Sequence, residues 1–240
     1  MTNRSFDAVI FDFYGTLAHA TRWGENPEKI LTDRGYQYND AAWMRFLSGH
    51  DGQEHLDASE SKEIYEAWRR DRLLAMLAES DVHPGEAHEI VEHLRARVLD
   101  RTIEAYPEVR PVLTTLREQG AQIVICSNWD WDLNEAVEEA GLTDLIDVPV
   151  SSAWVGARKP HPRMFTTTLE RAGVSAERSI FVGDTWGPDV EGPLAVGLRP
   201  VYLQRDGHWP DPTAPDDFAR TADALGVIRS ADLTVLTALP

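Results

Sequence analysis

The sequence has almost no cysteine and no long apolar run. Cys126 is the single cysteine in 240 residues, which excludes a disulfide framework and a thiolate metal cluster. No uninterrupted apolar stretch is long enough to span a bilayer, and residues 1–5 lead into the first predicted strand without the apolar core of a signal peptide. We therefore expect a soluble, cytoplasmic protein.

Positive charge is also scarce, since 23 Lys and Arg residues face 40 Asp and Glu residues and the net charge is −17. Nucleic acids and anionic membrane surfaces attract basic surfaces, so neither is an expected partner. A small molecule is the expected one. The sequence leaves the oligomeric state open.

Two patterns of hydrophobicity divide the chain. Residues 17–105 contain segments with helical spacing and no convincing strand, whereas short apolar strands alternate with helices from Tyr106 onwards. Such alternation is typical of a doubly wound parallel sheet. We predict an α/β fold with a core domain at 1–16 and 106–240 and an inserted α-helical cap domain at 17–105. The helices expected in the cap span 27–31, 40–47, 59–80 and 84–100. Strands are expected at 8–11, 122–126, 145–150, 179–182, 199–203 and 222–228, with helices at 190–196 and 230–239.

Polar side chains follow several of the predicted strands or lie in the loops beyond them. Because the carboxyl ends of parallel strands meet at one edge of a sheet, we expect these side chains to converge there. A buried strand that ends in a carboxylate also needs a partner for that charge. The set comprises Asp12, Ser127, Asn128, Lys159, Asp184 and Asp189.

The order of these residues resembles the four motifs of the haloacid dehalogenase (HAD) hydrolase superfamily, over nearly the whole chain. Residues 12–17 match its first motif, D-x-(D/Y)-G-T. The resemblance implies that Asp12 attacks the substrate and forms a covalent aspartyl intermediate, and that Ser127 and Lys159 hold the oxygens of the transferred group. It also implies a HAD-like Rossmannoid core, in which the segment at 17–105 is the cap.

A metal site is expected beside the nucleophile. Three acids at one edge repel one another, and a hard divalent cation with oxygen ligands removes that repulsion. We infer Mg²⁺ bound by Asp12, Asp184 and the backbone carbonyl of Tyr14, with Asp189 acting through water or from outside the ligand shell. An N-terminal helix cap is the alternative role for Asp189.

Tyr14 and Asp184 point to different reactions. In the phosphatases of the superfamily, a second aspartate at the position of Tyr14 protonates the leaving alcohol. Its haloacid dehalogenases have tyrosine there, because halide leaves without a proton, but they use no metal and have a neutral residue where Asp184 stands. The acid pair is the heavier evidence, so we predict a Mg²⁺-dependent phosphohydrolase that acts on a small-molecule phosphate through an aspartyl-phosphate on Asp12.

The alternatives are a metal-independent 2-haloacid dehalogenase and a HAD-like binding or regulatory protein with low turnover. If phosphate is the substrate, either the leaving group is a good one or another residue donates the proton. His19 is the candidate donor; a solvated linker histidine is the other interpretation.

Several residues are candidates for substrate contact. Asn128 resembles a neighbour of the second motif that contacts substrate or orients the serine. Arg22 and Trp23 lie at the presumed cap entrance, and we expect Trp186 to face the pocket because its loop has little else to bury. We expect Arg158 to form a surface salt bridge, and Cys126 to be a buried, inert thiol. For Trp129, Trp131 and Trp154 two interpretations stay open: they line the substrate pocket, or they pack the cap against the core.

Overall fold

The computed structural model describes residues 6–48, 54–207 and 211–239, so residues 1–5, which bear on the signal-peptide prediction, lie outside it. The strands are β1 (Ala8–Phe11), β2 (Ala18–Arg22), β3 (Thr102–Ala105), β4 (Gln122–Ser127), β5 (Val148–Ser151), β6 (Ser179–Gly183), β7 (Arg199–Leu203) and β8 (Ile228–Ser230). The α-helices are α1 (Pro27–Thr32), α2 (Asp40–Ser48), α3 (Lys62–Ala78), α4 (Pro84–Leu99), α5 (Val109–Glu118), α6 (Leu133–Glu139), α7 (Ser152–Val155), α8 (Pro162–Ala172), α9 (Gly192–Ala195) and α10 (Phe218–Leu225).

Six of the strands form one sheet in the order β5-β4-β1-β6-β7-β8, and all of its pairings are parallel. Both faces of this sheet are covered, because successive side chains of a strand point to opposite sides. Val9 and Phe11 lie in a buried cluster with side chains of α5 and α6, whereas Ile10 lies in a second cluster with side chains of α8. The prediction of a doubly wound α/β core is confirmed.

The register of the central strand determines where the polar side chains meet. Phe11, the last residue of β1, pairs with Ile125 of β4 and with Val182 of β6. Asp12 follows Phe11, Ser127 ends β4, and Asp184 comes directly after β6. The three side chains therefore lie at the same edge of three adjacent strands.

Helices α1 to α4 lie between β2 and β3 and have a buried apolar cluster of their own, which includes Trp43, Leu77 and Ile90. All four helices predicted for this region are present. Helix α3 begins three residues later than predicted because Ser61 caps it, accepting a hydrogen bond from the backbone N–H of Ile64. Within the described residues, no helix combines the length and the apolar composition needed to cross a membrane.

The prediction that residues 17–105 contain no strand is wrong. Strands β2 and β3 form an antiparallel pair at the two connections between the helices and the core, with Ala18 opposite Ala105 and His19 opposite Glu104. Both strands are short and partly exposed. Their sequences therefore lack an apolar run, and their pairing joins residues that are far apart in the chain.

The C-terminal region also differs from the prediction. Helix α10 occupies part of the predicted strand at 222–228 and ends at Gly226, whose φ of 70° is left-handed. The strand follows as β8, and a 3₁₀ helix at Leu233–Ala238 takes the place of the predicted helix at 230–239. The helix predicted at 190–196 is one π-helical turn at Gly187–Glu191 followed by α9.

Candidate active site

Asp12 lies where the central strand reaches the carboxyl edge of the sheet. Its backbone N–H donates to the carbonyl of Val182 at 2.8 Å, so β6 still holds the first residue beyond β1. Its Oδ1 accepts hydrogen bonds from the Ser127 hydroxyl at 2.9 Å and from the Lys159 ammonium group at 2.7 Å. Both bonds fall on Oδ1, which leaves Oδ2 available for a substrate or a cation.

Lys159 joins two of the acids. Its Nζ also lies 2.6 Å from Oδ1 of Asp189, and its side chain is only 2% exposed. Burial by itself lowers the pKa of this lysine, but Asp12 and Asp189 outweigh that effect and raise the pKa above its ordinary value. Lys159 is therefore a fixed positive charge.

One lysine does not balance the negative charge of the site. Burial raises the pKa of Asp12 against the opposing effect of Lys159, and Asp184 raises it further. Burial and Asp12 likewise raise the pKa of Asp189, to about 7. Both directions show that burial disfavours the charged carboxylates, a cost that a bound cation would offset.

Asn128 positions the lysine. Its side-chain amide donates to the Lys159 carbonyl at 2.9 Å, and its Oδ1 accepts the Lys159 backbone N–H at 2.7 Å. Both polar ends of the amide are therefore bonded to the main chain that supports the ammonium group. These bonds hold Lys159, whereas the prediction is that Asn128 orients the serine. Asn128 also lines the cavity described below.

Asp12, Asp184 and Asp189 form a cluster that fits a divalent cation. Each offers an oxygen, and the three ligand atoms lie within 4.8 Å of one another. Oxygen donors of this type and the excess negative charge both suit Mg²⁺. Gly183 makes the approach possible, because a Cβ at that position would lie 2.3 Å from Cγ of Asp189.

The surroundings of Asp189 favour a role outside the ligand shell. Lys159 binds Oδ1, and Oδ2 accepts the backbone N–H of Thr185 at 3.0 Å. The alternative role as a helix cap is wrong, because Asp189 lies inside the π-helical turn and its own N–H donates to the Thr185 carbonyl.

Tyr14 lies beside the nucleophile and is half-buried. Its ring is 5.8 Å from that of Trp23 and 6.2 Å from that of Trp129, measured between centroids. Burial raises the pKa of its hydroxyl above the ordinary value of a tyrosine. Tyr14 is therefore protonated at neutral pH and cannot serve as a base.

Arg205, just past β7, holds the turn that follows Asp12. Its guanidinium group donates to the carbonyls of Gly15 at 3.2 Å and Thr16 at 2.7 Å, and it forms an ion pair with Glu108. The hydroxyl of Thr16 in turn donates to Asp184 at 3.4 Å. One buried cation thus connects the nucleophile turn to the acid cluster. Sequence reasoning missed Arg205 because nothing local marks it.

A cavity of about 590 Å³ lies between the cap helices and the loop after β4. Asn128 and Trp129 belong to its wall on the core side, and Trp23 belongs to its wall on the cap side. Seven aromatic residues line it among those that the structure describes. Five arginines also line it: Arg69, Arg72, Arg97, Arg101 and Arg158.

The structure brings only some of the predicted substrate residues to this cavity. Trp23 lines it, but Arg22 does not and instead pairs with Asp100 at 2.7 Å on the surface. Trp186 is a wrong prediction: its side chain is 1% exposed and packs edge-on against Tyr202, 5.3 Å away. Its loop turns inward and fills a small apolar cluster under β7.

Of the three tryptophans near the motifs, Trp131 packs against a cap helix and Trp129 lines the cavity. Trp131 contacts Tyr65 of α3, and the indole N–H of Trp154 donates to the Trp131 carbonyl. Trp129 packs edge-on against Phe13 in the core. Cys126 is fully buried, as predicted, and burial raises the pKa of its thiol to about 12.

Sequence reasoning missed the arginines of the cavity. A signal was present in α3, where Tyr65, Trp68, Arg69 and Arg72 recur at the spacing of one helix face. Arg158 was expected in a surface salt bridge, but it lines the cavity because its loop runs beneath α3.

A carboxylate bonded to a buried lysine, at the carboxyl edge of a parallel sheet, is an arrangement suited to hydrolysis through a carboxylate nucleophile. The chain belongs to the haloacid dehalogenase-like hydrolases, since the model of that family matches residues 6–197. The resemblance of the four motifs is thereby confirmed.

Similar proteins include both phosphatases and dehalogenases. The chain is 26% identical over 235 residues to ribulose-1,5-bisphosphate 5-phosphatase of Halopiger xanaduensis, covering 96% of this chain and 95% of the relative. It is 26% identical over 231 residues to haloacetate dehalogenase H-2 of Moraxella sp., covering 92% and 93%. It also resembles the crystal structure of a HAD phosphatase from Thermococcus onnurineus, with 26% identity, a TM-score of 0.53 and coverage of 94% and 100%. The choice between the two reactions therefore rests on the site.

Proposed function

We propose that this hydrolase is a Mg²⁺-dependent phosphatase of small-molecule phosphate esters and that Asp12 forms an aspartyl-phosphate. The acid cluster carries this proposal, because three carboxylates within 4.8 Å of one another suit a cation and a phosphoryl group. We assign the core to residues 1–16 and 106–240 and the specificity-determining cap to residues 17–105.

The reaction has two displacements at phosphorus. In the first, an oxygen of Asp12 attacks phosphorus, the ester P–O bond breaks, and the leaving oxygen takes a proton. In the second, water attacks the same phosphorus, the bond to Asp12 breaks, and inorganic phosphate leaves with the carboxylate regenerated. Splitting one displacement into two easier steps is the advantage of a covalent nucleophile.

The neighbours of Asp12 have distinct roles in these steps. Lys159 and Ser127 fix the carboxylate through its Oδ1 and present donors to the phosphoryl oxygens. Asn128 holds the lysine in place. Mg²⁺, held by Asp12, Asp184 and the Tyr14 carbonyl with Asp189 behind them, would neutralise phosphoryl charge.

The leaving oxygen needs a proton donor, and two residues near Asp12 in sequence are candidates. Tyr14 is protonated and can donate a hydrogen bond, but its raised pKa makes it a weak acid. His19 stacks on Tyr106 with ring centroids 4.4 Å apart, and its buried Nδ1 has no hydrogen-bond partner among the described residues. We retain His19 as the candidate donor, and we expect esters with good leaving groups to react fastest.

A 2-haloacid dehalogenase is the second candidate, favoured by Tyr14 and by the similarity to haloacetate dehalogenase H-2. Against it stands Asp184, whose negative charge at this edge would repel the carboxylate of a haloacid. A phosphatase would use every acid of the cluster, whereas a dehalogenase would leave Asp184 without a chemical role.

The test measures phosphate release from p-nitrophenyl phosphate and halide release from 2-chloropropionate, each with Mg²⁺ and with a chelator. We expect phosphate release that needs Mg²⁺, is abolished in Asp12→Asn, and requires a higher Mg²⁺ concentration in Asp184→Asn. Glu118→Gln, on the exposed side of α5, is the matched control and should behave as the wild type.

Halide release that persists in the chelator would overturn this proposal in favour of the dehalogenase. Lasting phosphorylation of Asp12 without turnover of either compound would favour a binding or regulatory protein instead.

A further inference from the structure

The cavity under the cap is basic, although the chain as a whole is strongly acidic. We call this cavity the arginine chamber, after the guanidinium groups of Arg69, Arg72, Arg97, Arg101 and Arg158 that line it. Among the described residues that line the cavity, these five cations face a single carboxylate, that of Asp130. The chain has a net charge of −17, so this concentration of positive charge is a local feature of the cavity.

Carboxylates pair with two of the five guanidinium groups, and backbone carbonyls accept hydrogen bonds from two others. Asp130 pairs with Arg69 at 2.6 Å, and Asp132, outside the cavity wall, pairs with Arg101 at 2.7 Å. Arg72 donates to a backbone carbonyl of α2 at 3.3 Å, and Arg97 donates to the carbonyl of Glu25. Carbonyl oxygens accept hydrogen bonds but bring no net negative charge.

The pKa shifts of two lining groups, Arg72 and His55, agree with a positive potential in the cavity. Burial and the nearby charge of Arg158 lower the pKa of Arg72. The same two causes lower the pKa of His55 to about 4, so that this lining histidine adds no charge at neutral pH. Like charges held together in a half-buried site are unfavourable unless an anion joins them.

Aromatic rings pack close to several of the guanidinium groups. Arg72 lies 4.7 Å from the ring centroid of Trp68, and Arg101 lies 5.0 Å from that of Trp129. Stacking uses the face of a guanidinium group and leaves donors on its edge, where a carboxylate or phosphate can bind through two oxygens. The rings thus preorganise the arginines for an anion.

The chamber adjoins the reaction centre. Asn128 is part of its wall and holds Lys159, whose Nζ is 2.7 Å from Asp12. Trp129, also in the wall, neighbours Tyr14. The rest of a substrate whose phosphoryl group reaches Asp12 would therefore enter the chamber. A volume of about 590 Å³ is within the range of small-molecule pockets.

We propose that the arginine chamber binds a second anionic group, a carboxylate or a phosphate, on the non-reacting end of the ester hydrolysed at Asp12. This proposal rests on the proposed phosphatase function and names the substrate class. The seven aromatic lining residues would contact the apolar part that connects the two anions.

The experiment compares three aryl phosphates that have nearly the same phenol as leaving group. Their para substituents are propyl, 2-carboxyethyl and 2-phosphonoethyl, so only the tail charge differs. We expect kcat/KM for at least one anionic tail to exceed that for propyl by about ten- to a hundredfold, as one or two charge-assisted hydrogen bonds supply. The preferred tail identifies the anion.

Variants of the chamber test its part in that preference. Arg72→Met and Arg97→Met keep most of the apolar stem and remove the charge, so each should reduce the ratio of anionic to propyl kcat/KM about tenfold, mainly through KM. Arg72→Lys should retain part of the preference. Arg70→Met is the matched control, because Arg70 is on the same helix but pairs with Glu92 and does not line the cavity.

The outcomes separate this proposal from the one on which it rests. Equal kcat/KM for the three tails in the wild type, or a preference that both chamber variants leave intact, overturns the second-anion site while phosphate release stands. In that case the arginines serve only to pack the cap. Phosphate release from none of the three esters overturns the phosphatase function, and the substrate class with it.

Discussion

At the scale of single residues, Tyr14 separates the two candidate reactions. The acids, the lysine and the serine all lie in bonding positions around Asp12. Tyr14 stands where the resemblance of the first motif implies an acid in a phosphatase. Its hydroxyl is protonated, with a raised pKa, and it neighbours two tryptophan rings.

Tyr14→Asp should restore the missing acid. We expect kcat for an alkyl phosphate to rise about tenfold or more, and kcat for p-nitrophenyl phosphate to change little, because general acid help matters most for a poor leaving group. The measurement is the ratio of the two kcat values. Tyr14→Asn introduces a side chain of the same size as aspartate but without the acid, and should show no such gain. A gain in both variants would show that the smaller side chain, rather than the acid, causes it.

At the scale of elements, the sheet provides the positions and the loops provide the chemistry. β1, β4 and β6 are adjacent in the sheet. The residues at their carboxyl ends therefore lie close together. Arg205, just past β7, then fixes the turn after β1 through two carbonyls. Its side chain is 8% exposed and lies above the ring of Tyr106, 3.7 Å from the centroid.

Arg205→Met should loosen the turn that contains Asp12 and Thr16. We expect kcat to fall about tenfold, since small displacements of a nucleophile are sufficient for such losses, and the Mg²⁺ concentration for half-maximal activity to rise because Thr16 bonds to Asp184. Arg220→Met, at an exposed ion pair on α10, is the control. A fall in thermal stability with kcat and Mg²⁺ dependence unchanged would indicate a purely structural role.

At the scale of the whole molecule, the cap is bonded to the core in a closed arrangement. The hydroxyl of Tyr65 in α3 donates to Asp130 at 2.8 Å. The backbone N–H of His55 donates to the Gly156 carbonyl at 2.6 Å, and the ring of His55 stacks on Trp68. The segment around His55 therefore joins the helices to the loop that leads to Lys159.

This contact should make folding stability depend on pH. Burial lowers the pKa of His55 to about 4 in the folded protein, whereas the unfolded value is near 6.5. The unfolded chain therefore takes up the proton first as pH falls. The stabilisation is complete above about pH 6.5 and is lost as the pH drops towards 4, by about 1–2 kcal/mol after allowance for solvent screening.

Urea unfolding at pH 7.0, 5.5 and 4.5 measures this dependence. His55→Gln should flatten the part of the decline between pH 6.5 and 4.5, whereas His88→Gln, at an exposed position of α4, should not. An unchanged slope in His55→Gln would show that other groups govern the decline.

The sequence by itself predicted most of the regular elements and the residues of the candidate site. The helices of the cap follow from 3.6-residue periodicity and local caps such as Ser61, and the core strands follow from short apolar runs between turns. Asp12, Ser127, Lys159 and Asp184 could be identified because each stands next to such a strand or in the loop beyond it. Each of these patterns lies within a few neighbouring residues, so it can be recognised from the sequence alone.

The tertiary structure alone decided the rest. β2 and β3 pair across the whole cap, Trp186 turns inward to Tyr202, and Asn128 bonds to the main chain of Lys159. The arginines of the chamber come from α3, α4, the residue before β3 and one core loop. Such features depend on contacts between residues that are far apart in the chain. The burial and the electrostatic surroundings of these side chains therefore cannot be predicted from their neighbours in sequence.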